Sequence, residues 1–394
     1  MLPKILVLAD WYLPGRRAGG SVSSIANLIE LVGDEFRFYV ITRDRDLTEK
    51  TAYAGVPADH WIAVGKGLVL YTSDLSFSNL RRHILDIAPD VIYLNSFFSR
   101  LTRKTLLLRR LGLAAASTVV LAPRGEFSPG ALSLKRLRKW LYQRVTMRTG
   151  LYRDLIWQAS SNLERQQITA AGIANGTPNC GCLVVTPDVP NPHLLECPVE
   201  SRRPEKRPGA VRLIFLSRIS RTKNLHFALE SLAALRGDVV FEIVGPVEDD
   251  RYWSECQQQI RSLPRNIVVS CAGPVRHEDV SRVFFQHQFL LLPTLGENFG
   301  HAVLEALAAG CPVVISDQTP WRNLNSAGTG WDLPLGRPDL WRNALQECIA
   351  MDQEVYQTMS QRARRVAEQW FSSPFFHRDS VSLFRSALHY VASH

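Results

Sequence analysis

The sequence predicts an α/β protein built from two parallel-sheet domains. Two observations carry that expectation. Short apolar runs alternate with amphipathic segments in two separate stretches of the chain, and a proline-dense stretch divides them. At 394 residues the chain is long for one hydrophobic core and comfortable for two.

The first stretch has apolar runs at Ile5–Ala9, Phe38–Thr42, Val91–Leu94, Val119–Ala122 and Leu155–Gln158, separated by helix-like segments. Continuous apolar runs of this length read as strands buried on both faces, the mark of βαβ units. The second stretch opens at "VRLIFLSRI" and continues through "VVFEIVG", "NIVVSCAG", "FLLLPT" and "CPVVIS", with helical segments at Asn224–Arg236 and Tyr252–Ser262. Between the two lie Pro187, Pro190, Pro192, Pro198, Pro204 and Pro208, a density that excludes a long helix and blocks central strands. The expected divisions are therefore 1–186, a linker at 187–209, 210–372, and a helix at 373–394 that packs back on the first domain. A break is expected at Ser373-Pro374. Ligands of open α/β sheets bind at the carboxyl ends of the strands, so a cleft between the domains is the expected site.

Composition narrows the function classes. With 46% hydrophobic and 21% charged residues the chain reads as globular rather than disordered. Seven cysteines, an odd number, with only about six apolar residues at the start, are expected in a reducing, cytoplasmic setting. Cys180-Gly181-Cys182 has the wrong spacing for a redox or zinc pair. No run approaches the roughly 18 apolar residues of a membrane span. The net charge of +9 is concentrated: from Arg100 to Arg148 there are 12 basic residues and one acid, Glu126. Such a field favours anionic or phosphate-rich partners, or is simply a solvated basic face.

The residues that could carry chemistry cluster in the second stretch. In "PTLGENFGHAVLEALAAGCPVVIS" two carboxylates, Glu297 and Glu305, lie at the entrance and in the middle of an apolar helix. Gly296 and Gly300 allow close backbone approach, and Asn298 is expected to cap the helix. The free N–H groups from about Phe299 onward form an anion site. In "FLSRISRTKNLHFALESL", Arg218 follows an apolar strand and Lys223 lies five residues later, before a helix. Two cations at a strand end can neutralise a diphosphate leaving group. Near the N-terminus, Gly19-Gly20-Ser21 makes a small-residue loop at a helix start, without the spacing of a dinucleotide fingerprint.

These residues resemble the retaining nucleotide-sugar glycosyltransferases of family four. "GENFGHAVLEALAAGCPVVIS" is similar to the family's E-x7-E signature, and Arg218 with Lys223 to its G-R-x-x-x-x-K pair, Ser217 standing for the usual glycine. Gly19-Gly20 resembles its N-terminal glycine loop, and Gly273–Val275 the segment that meets the nucleobase. "LNSFFS" and "APRGEFSPGALSLK" are similar to bacterial members of surface-polysaccharide assembly. The resemblance implies the GT-B architecture, two Rossmann-like domains facing across a cleft, with the acceptor on the first and the nucleotide-sugar on the second. It implies no cofactor and no metal, a donor that is a nucleotide-diphosphate sugar, and a glycan acceptor linked to a polyprenyl diphosphate. It assigns Glu297 to the sugar and Glu305 to the ribose. Arg218 and Lys223 fall to the diphosphate, and Val275, Asn298, Phe299, Gly300 and His301 to further donor contacts. Transfer with retention is expected to proceed by front-face attack, the leaving phosphate assisting deprotonation of the acceptor.

One position departs from the family. Where many relatives carry a histidine that touches the donor sugar, this chain has Asn95, which can hydrogen-bond but does not titrate. On the acceptor side Arg124 and Glu126, after a strand, are expected to line the cleft. The helix "SLKRLRKWLYQRVTMR" sets Lys135, Arg136, Arg138, Lys139, Arg144 and Arg148 beside Leu137, Trp140, Leu141 and Tyr142. That mixture suits an anionic membrane surface at the inner face of the cell membrane. No nucleic-acid-binding module accompanies the basic stretch. The alternatives are a catalytically idle GT-B partner subunit, or another GT-B enzyme such as a sugar-nucleotide epimerase. His226, His277 and His301 do not fall into metal-ligand spacing.

Overall fold

A computed structural model describes residues 1–15, 17–115, 117–173, 181–195 and 203–390. Cys180, Cys197 and residues 196–202 of the proline-dense stretch lie outside these. The chain forms two compact units, Met1–Asn191 with Pro374–His394, and Pro192–Ser373.

The first unit holds an eight-stranded sheet. Its strands are β1 (Lys4–Leu8), β2 (Arg37–Arg43), β3 (Trp61–Val64), β4 (Gly67–Thr72), β5 (Val91–Asn95), β6 (Thr118–Ala122), β7 (Ile156–Ala159) and β8 (Cys182–Val185). They lie in the order β3-β4-β2-β1-β5-β6-β7-β8. β1 pairs in parallel on both sides, Ile5 opposite Phe38 and Val91. Among the described strands of this sheet only β3 against β4 is antiparallel, a hairpin turning at Gly65-Lys66. β5 and β6 are buried at every position, as helices covering both faces require.

The second unit holds six parallel strands: β9 (Ala210–Leu216), β10 (Asp238–Val244), β11 (Ile267–Gly273), β12 (Phe289–Leu292), β13 (Val313–Ser316) and β14 (Gly330–Leu333). Their order is β11-β10-β9-β12-β13-β14. β12 and β13 are wholly buried.

The proline-dense stretch is anchored at both described ends. Val189 packs into the core of the first unit, and Asp188 pairs with Arg124 there. On the other side Lys206 donates from Nζ to the carbonyls of Ile349 and Met351, at 3.1 and 2.7 Å.

The helix Gln353–Phe371 ends before Pro374, and a second helix, Phe375–Tyr390, completes the first unit. Phe384 is its anchor. The ring is fully buried, with centroids 5.4, 5.7 and 5.5 Å from those of Phe36, Phe38 and Tyr93. Glu35 ties down the outer side through Arg385 at 2.8 Å and His377 at 2.9 Å. Truncating a fully buried phenylalanine costs about 3–5 kcal/mol. Phe384→Ala should lower the unfolding free energy of the first unit by that amount, with a lower denaturant midpoint, while the transition of the second is unmoved. Fluorescence-monitored urea titration checks this, and equal shifts in both units would show that the helix does not belong to the first alone.

Candidate active site

In the second unit β9, β12 and β13 are adjacent, so their carboxyl ends deliver three loops to one place. Main-chain and hydroxyl bonds stitch the loops together. Leu295 N–H donates to the Thr222 carbonyl at 2.8 Å and Thr294 Oγ1 to the same oxygen at 3.1 Å. Ser316 Oγ donates to the Thr294 carbonyl at 2.5 Å, and Glu297 N–H to that of Gln318 at 3.0 Å.

The result is that Lys223, from the β9 loop, meets Glu297, from the β12 loop, with Nζ 2.5 Å from Oε1. Both side chains are largely buried, 14% and 12% exposed, so the pair is poorly screened and fixes both groups. Arg218 is paired elsewhere, Nη1 lying 2.8 Å from Oε2 of Glu248 at a more exposed position. Sequence reasoning assigned Lys223 and Glu297 separate tasks, and their direct contact is a finding of the structure. Glu248 was also missed. It follows β10 in "GPVED", and nothing local marks it.

The helix after β12 runs His301–Ala308, two residues later than an Asn298 cap would start it. Its N-cap is Gly300, in the left-handed conformation at φ 82°. A Cβ there would come within 3.0 Å of Trp321 Nε1, and that nitrogen donates to the Phe299 carbonyl at 2.7 Å. Packing from 22 residues downstream therefore overrides the capping preference of asparagine. Phe299 turns its ring inward against Trp321 and Trp370, so only its backbone faces the site. Among the described residues the amides of Phe299, Gly300 and Ala302 have no main-chain acceptor. These donors, at the positive end of the helix dipole, are suited to an anion.

Glu305 lies one turn into this helix, 8% exposed. Burial raises its carboxyl to a pKa of about 7. His301 stands at the first helical position with its ring 4.8 Å from that of Phe299. Val275 is half-buried on the loop after β11, two strands from β9.

The remaining candidates belong to the first unit. Gly19, at φ 78°, is the N-cap of the helix Gly20–Val32. Beside that helix start, at the carboxyl ends of β1, β5 and β6, a cavity of about 170 Å³ is lined by Asp10, Trp11, Ser21, Asn95, Arg124 and Glu126 among others. Arg124 sits in the wall with left-handed backbone, φ 58°. Its guanidinium is turned inward rather than into the open cavity. Nη1 donates to Asp188, Nη2 to Tyr93 Oη at 2.8 Å, and Nε and Nη2 to Asn95 Oδ1 at 3.1 and 2.9 Å. Burial pulls its pKa down and Asp188, Tyr93 and Glu164 push it up, the net being upward. Arg124 therefore fixes the amide of Asn95, whose Nδ2 is buried with no hydrogen-bond partner among the described residues.

Glu126 accepts from Ser96 Oγ at 2.7 Å and from the amides of Phe97 and Phe98 at 2.5 and 3.3 Å. Burial outweighs these bonds and raises its pKa to about 7. Glu164, which sequence reasoning passed over, holds this turn from behind, accepting from Gly125 N–H at 2.6 Å and Ser160 N–H at 2.7 Å. Asp188 was hidden among prolines read as linker. Among the described residues no three His, Cys, Asp or Glu side chains cluster to hold a metal ion.

Comparison with known proteins agrees with this architecture. Sucrose-phosphate synthase from Thermosynechococcus elongatus superposes with a TM-score of 0.69 at 16% identity, over 98% of each chain. Anabaena HepE in complex with UDP and glucose superposes at 0.68 and 18% identity, over 98% of this chain and 100% of that one. The fold is thus GT-B. Residues 199–366, most of the second unit, match the family model for glycosyl transferases group 1.

Among curated relatives, a 2-deoxystreptamine N-acetyl-D-glucosaminyltransferase of Niallia circulans is 29% identical over 125 residues, 31% of each chain. A Salmonella typhimurium glycosyltransferase named provisionally for colanic acid biosynthesis is 25% identical over 197 residues, 47% of this chain and 48% of that one. The chain spans about a third to a half of the length of these two relatives.

The buried carboxyl of Glu305 makes stability depend on pH. Its proton is retained in the folded chain up to about 7, whereas the unfolded chain loses it near 4.5. Between those values the folded state binds more protons, so stability falls as pH rises. The unfolding free energy of wild type relative to Glu305→Gln should decline from pH 5 to pH 8. A difference that stays flat across that range in denaturant titrations would mean the carboxyl is not desolvated.

Proposed function

We propose that the chain is a retaining glycosyltransferase that moves a sugar from a nucleotide-diphosphate sugar to a glycan acceptor in polysaccharide biosynthesis. The observation that carries this is the Lys223–Glu297 pair near the start of the His301–Ala308 helix, where among the described residues the amides of Phe299, Gly300 and Ala302 have no main-chain acceptor. A cation and a helix N-terminus there suit a diphosphate, and a carboxylate next to them suits a sugar hydroxyl. The family match over residues 199–366 and the UDP named in the HepE complex support a nucleotide-sugar donor.

In the proposed reaction the bond between the anomeric carbon and the diphosphate oxygen breaks, and negative charge gathers on that oxygen. Lys223, Arg218 and the amides of Phe299, Gly300 and Ala302 stabilise it, without a metal. The acceptor hydroxyl attacks from the same face, and its proton passes to the leaving phosphate. Glu297 holds the sugar, and Glu305, ionised on binding, accepts from the ribose hydroxyls. In the first unit, Asn95 Nδ2 offers a fixed donor and Glu126 an acceptor within the cavity.

A polyprenyl-linked acceptor implies contact with a membrane surface, and the helix Arg136–Arg148 is built for it. Leu137, Trp140, Leu141 and Val145, spaced along one face, are 78%, 52%, 55% and 51% exposed. Arg136, Arg138, Arg144 and Arg148 are exposed among them with no acid on the helix. Lys139 is turned in, donating to the Ala131 carbonyl at 2.6 Å, and Tyr142 meets Tyr152 at 2.8 Å. An apolar face carrying only positive charge is complementary to an anionic bilayer. Among the described residues no helix is long and apolar enough to cross one.

A thermal-shift panel of nucleotide-sugars, followed by product analysis with the best binder, tests the enzyme reading. Stabilisation by no nucleotide or nucleotide-sugar would remove it. Arg218→Ala and Lys223→Ala should each lower kcat by about 10²–10³-fold with little change in donor affinity. Unchanged turnover in both would cancel their role.

The membrane reading is checked by vesicle sedimentation. Binding to vesicles containing phosphatidylglycerol is expected, absent on phosphatidylcholine alone and weakened about fivefold by Arg144→Gln. Equal binding to neutral vesicles, or none to anionic ones, would defeat it.

A further inference from the structure

A second cavity in the first unit, about 290 Å³, has no part in the chemistry above. It opens at the carboxyl ends of β2 and β4 and at the start of the helix Arg100–Arg110. Its charged and polar walls are Arg43, Ser73, Asp74, Ser76, Arg100 and Lys104. Three cations thus face one carboxylate.

The carboxylate is already engaged. Asp74 Oδ1 accepts from the Ser76 amide at 2.9 Å, and contacts with Ser76 hold its pKa below the usual value. Among the described residues no ion pair links it to any of the three cations. Arg100 is exposed and, among the described residues, has neither a hydrogen-bond nor an ion-pair partner. Lys104 donates one of its three protons to the Leu75 carbonyl. Arg43 reaches Asp10 Oδ1 only at 3.4 Å, a weak contact that a better anion can displace. Arg43 lines this cavity and its partner Asp10 lines the smaller cavity of Asn95 and Glu126, so one contact joins the two linings.

The geometry points to an anion subsite in which Arg43, Arg100 and Lys104 hold a phosphate or diphosphate group of the acceptor while its hydroxyl lies in the cavity of Asn95 and Glu126. The net charge of these walls is about +2, which matches a phosphoryl dianion. Two guanidinium forks supply the paired N–H donors that phosphate oxygens take. A neutral glycan would leave the charge of Arg100 without a counter-charge among the described residues. The assignment to an acceptor rests on the transferase reading, whereas the anion site itself does not.

The probe is inorganic pyrophosphate, titrated calorimetrically into the Arg218→Ala/Lys223→Ala double variant, which lacks the two cations assigned to the donor diphosphate in the second unit. One binding event is expected, weakening with salt and falling at least tenfold when Arg100→Glu is added. Among the described residues the Arg100 side chain has no hydrogen-bond or ion-pair partner, so the substitution is expected to leave the fold intact, which circular dichroism verifies. Silence in the double variant, or an affinity indifferent to Arg100→Glu, overturns the site.

Glucose 1-phosphate and farnesyl diphosphate then separate the sources. Tighter binding of the farnesyl compound than of pyrophosphate marks a lipid-linked acceptor, and no gain from the lipid marks a soluble phosphosugar. Nucleotide-sugar binding to wild type is measured alongside. If it persists while pyrophosphate gives no signal, the anion subsite falls and the transferase reading stands. Arg100-dependent pyrophosphate binding by a chain that takes no nucleotide-sugar keeps the anion site and overturns its assignment to an acceptor.

Discussion

A parallel sheet buried on both faces has no surface of its own to offer a ligand. Every residue along β5, β6, β12 and β13 is buried, so chemistry appears at the ends of the strands, as with Asn95 at the end of β5. Each parallel strand then has a loop at the same edge, and neighbouring strands deliver loops from distant parts of the chain. Lys223 and Glu297 are 74 residues apart in sequence and in contact because β9 and β12 are neighbours. Asn95 and Arg124 meet for the same reason at the ends of β5 and β6.

The two sites solve the problem of buried charge differently. In the second unit the cation and carboxylate are paired but retain a little exposure, so a ligand can exchange partners with them. In the first, Arg124 and Asp188 are 8% and 3% exposed and bonded on all sides. A buried pair of this kind contributes little net stability, yet losing one partner costs several kcal/mol because the other charge is stranded. Its consequence is orientation. The amide of Asn95 has one side fixed by Arg124, which leaves Nδ2 as a donor that nothing in the described protein satisfies.

What could be read from the sequence follows the range of the forces involved. Continuous apolar runs announced β1, β5, β6, β9, β12 and β13, because burial on both faces is a local demand on composition. The β3–β4 hairpin was not read from the sequence, where β3 is only half-buried at an edge of the sheet. The helix entrance at Gly300 was misplaced because its geometry answers to Trp321, outside any local window. Glu164 and Asp188 went unread for a related cause. Their task is to neutralise and orient groups on other strands, and a carboxylate's partner is not written beside it.

The helix Phe375–Tyr390 completes a unit that begins at Met1, so the second unit is inserted within the first. On the ribosome this imposes an order. Residues 192–373 emerge as an uninterrupted block and can close their sheet at once. The first sheet must wait with Phe36, Phe38 and Tyr93 uncovered until Phe384 arrives. At bacterial and eukaryotic synthesis rates that wait is roughly ten to forty seconds. During it the nascent first unit carries an aromatic face that a chaperone can recognise, and the unit translated last to begin is the first to be finished.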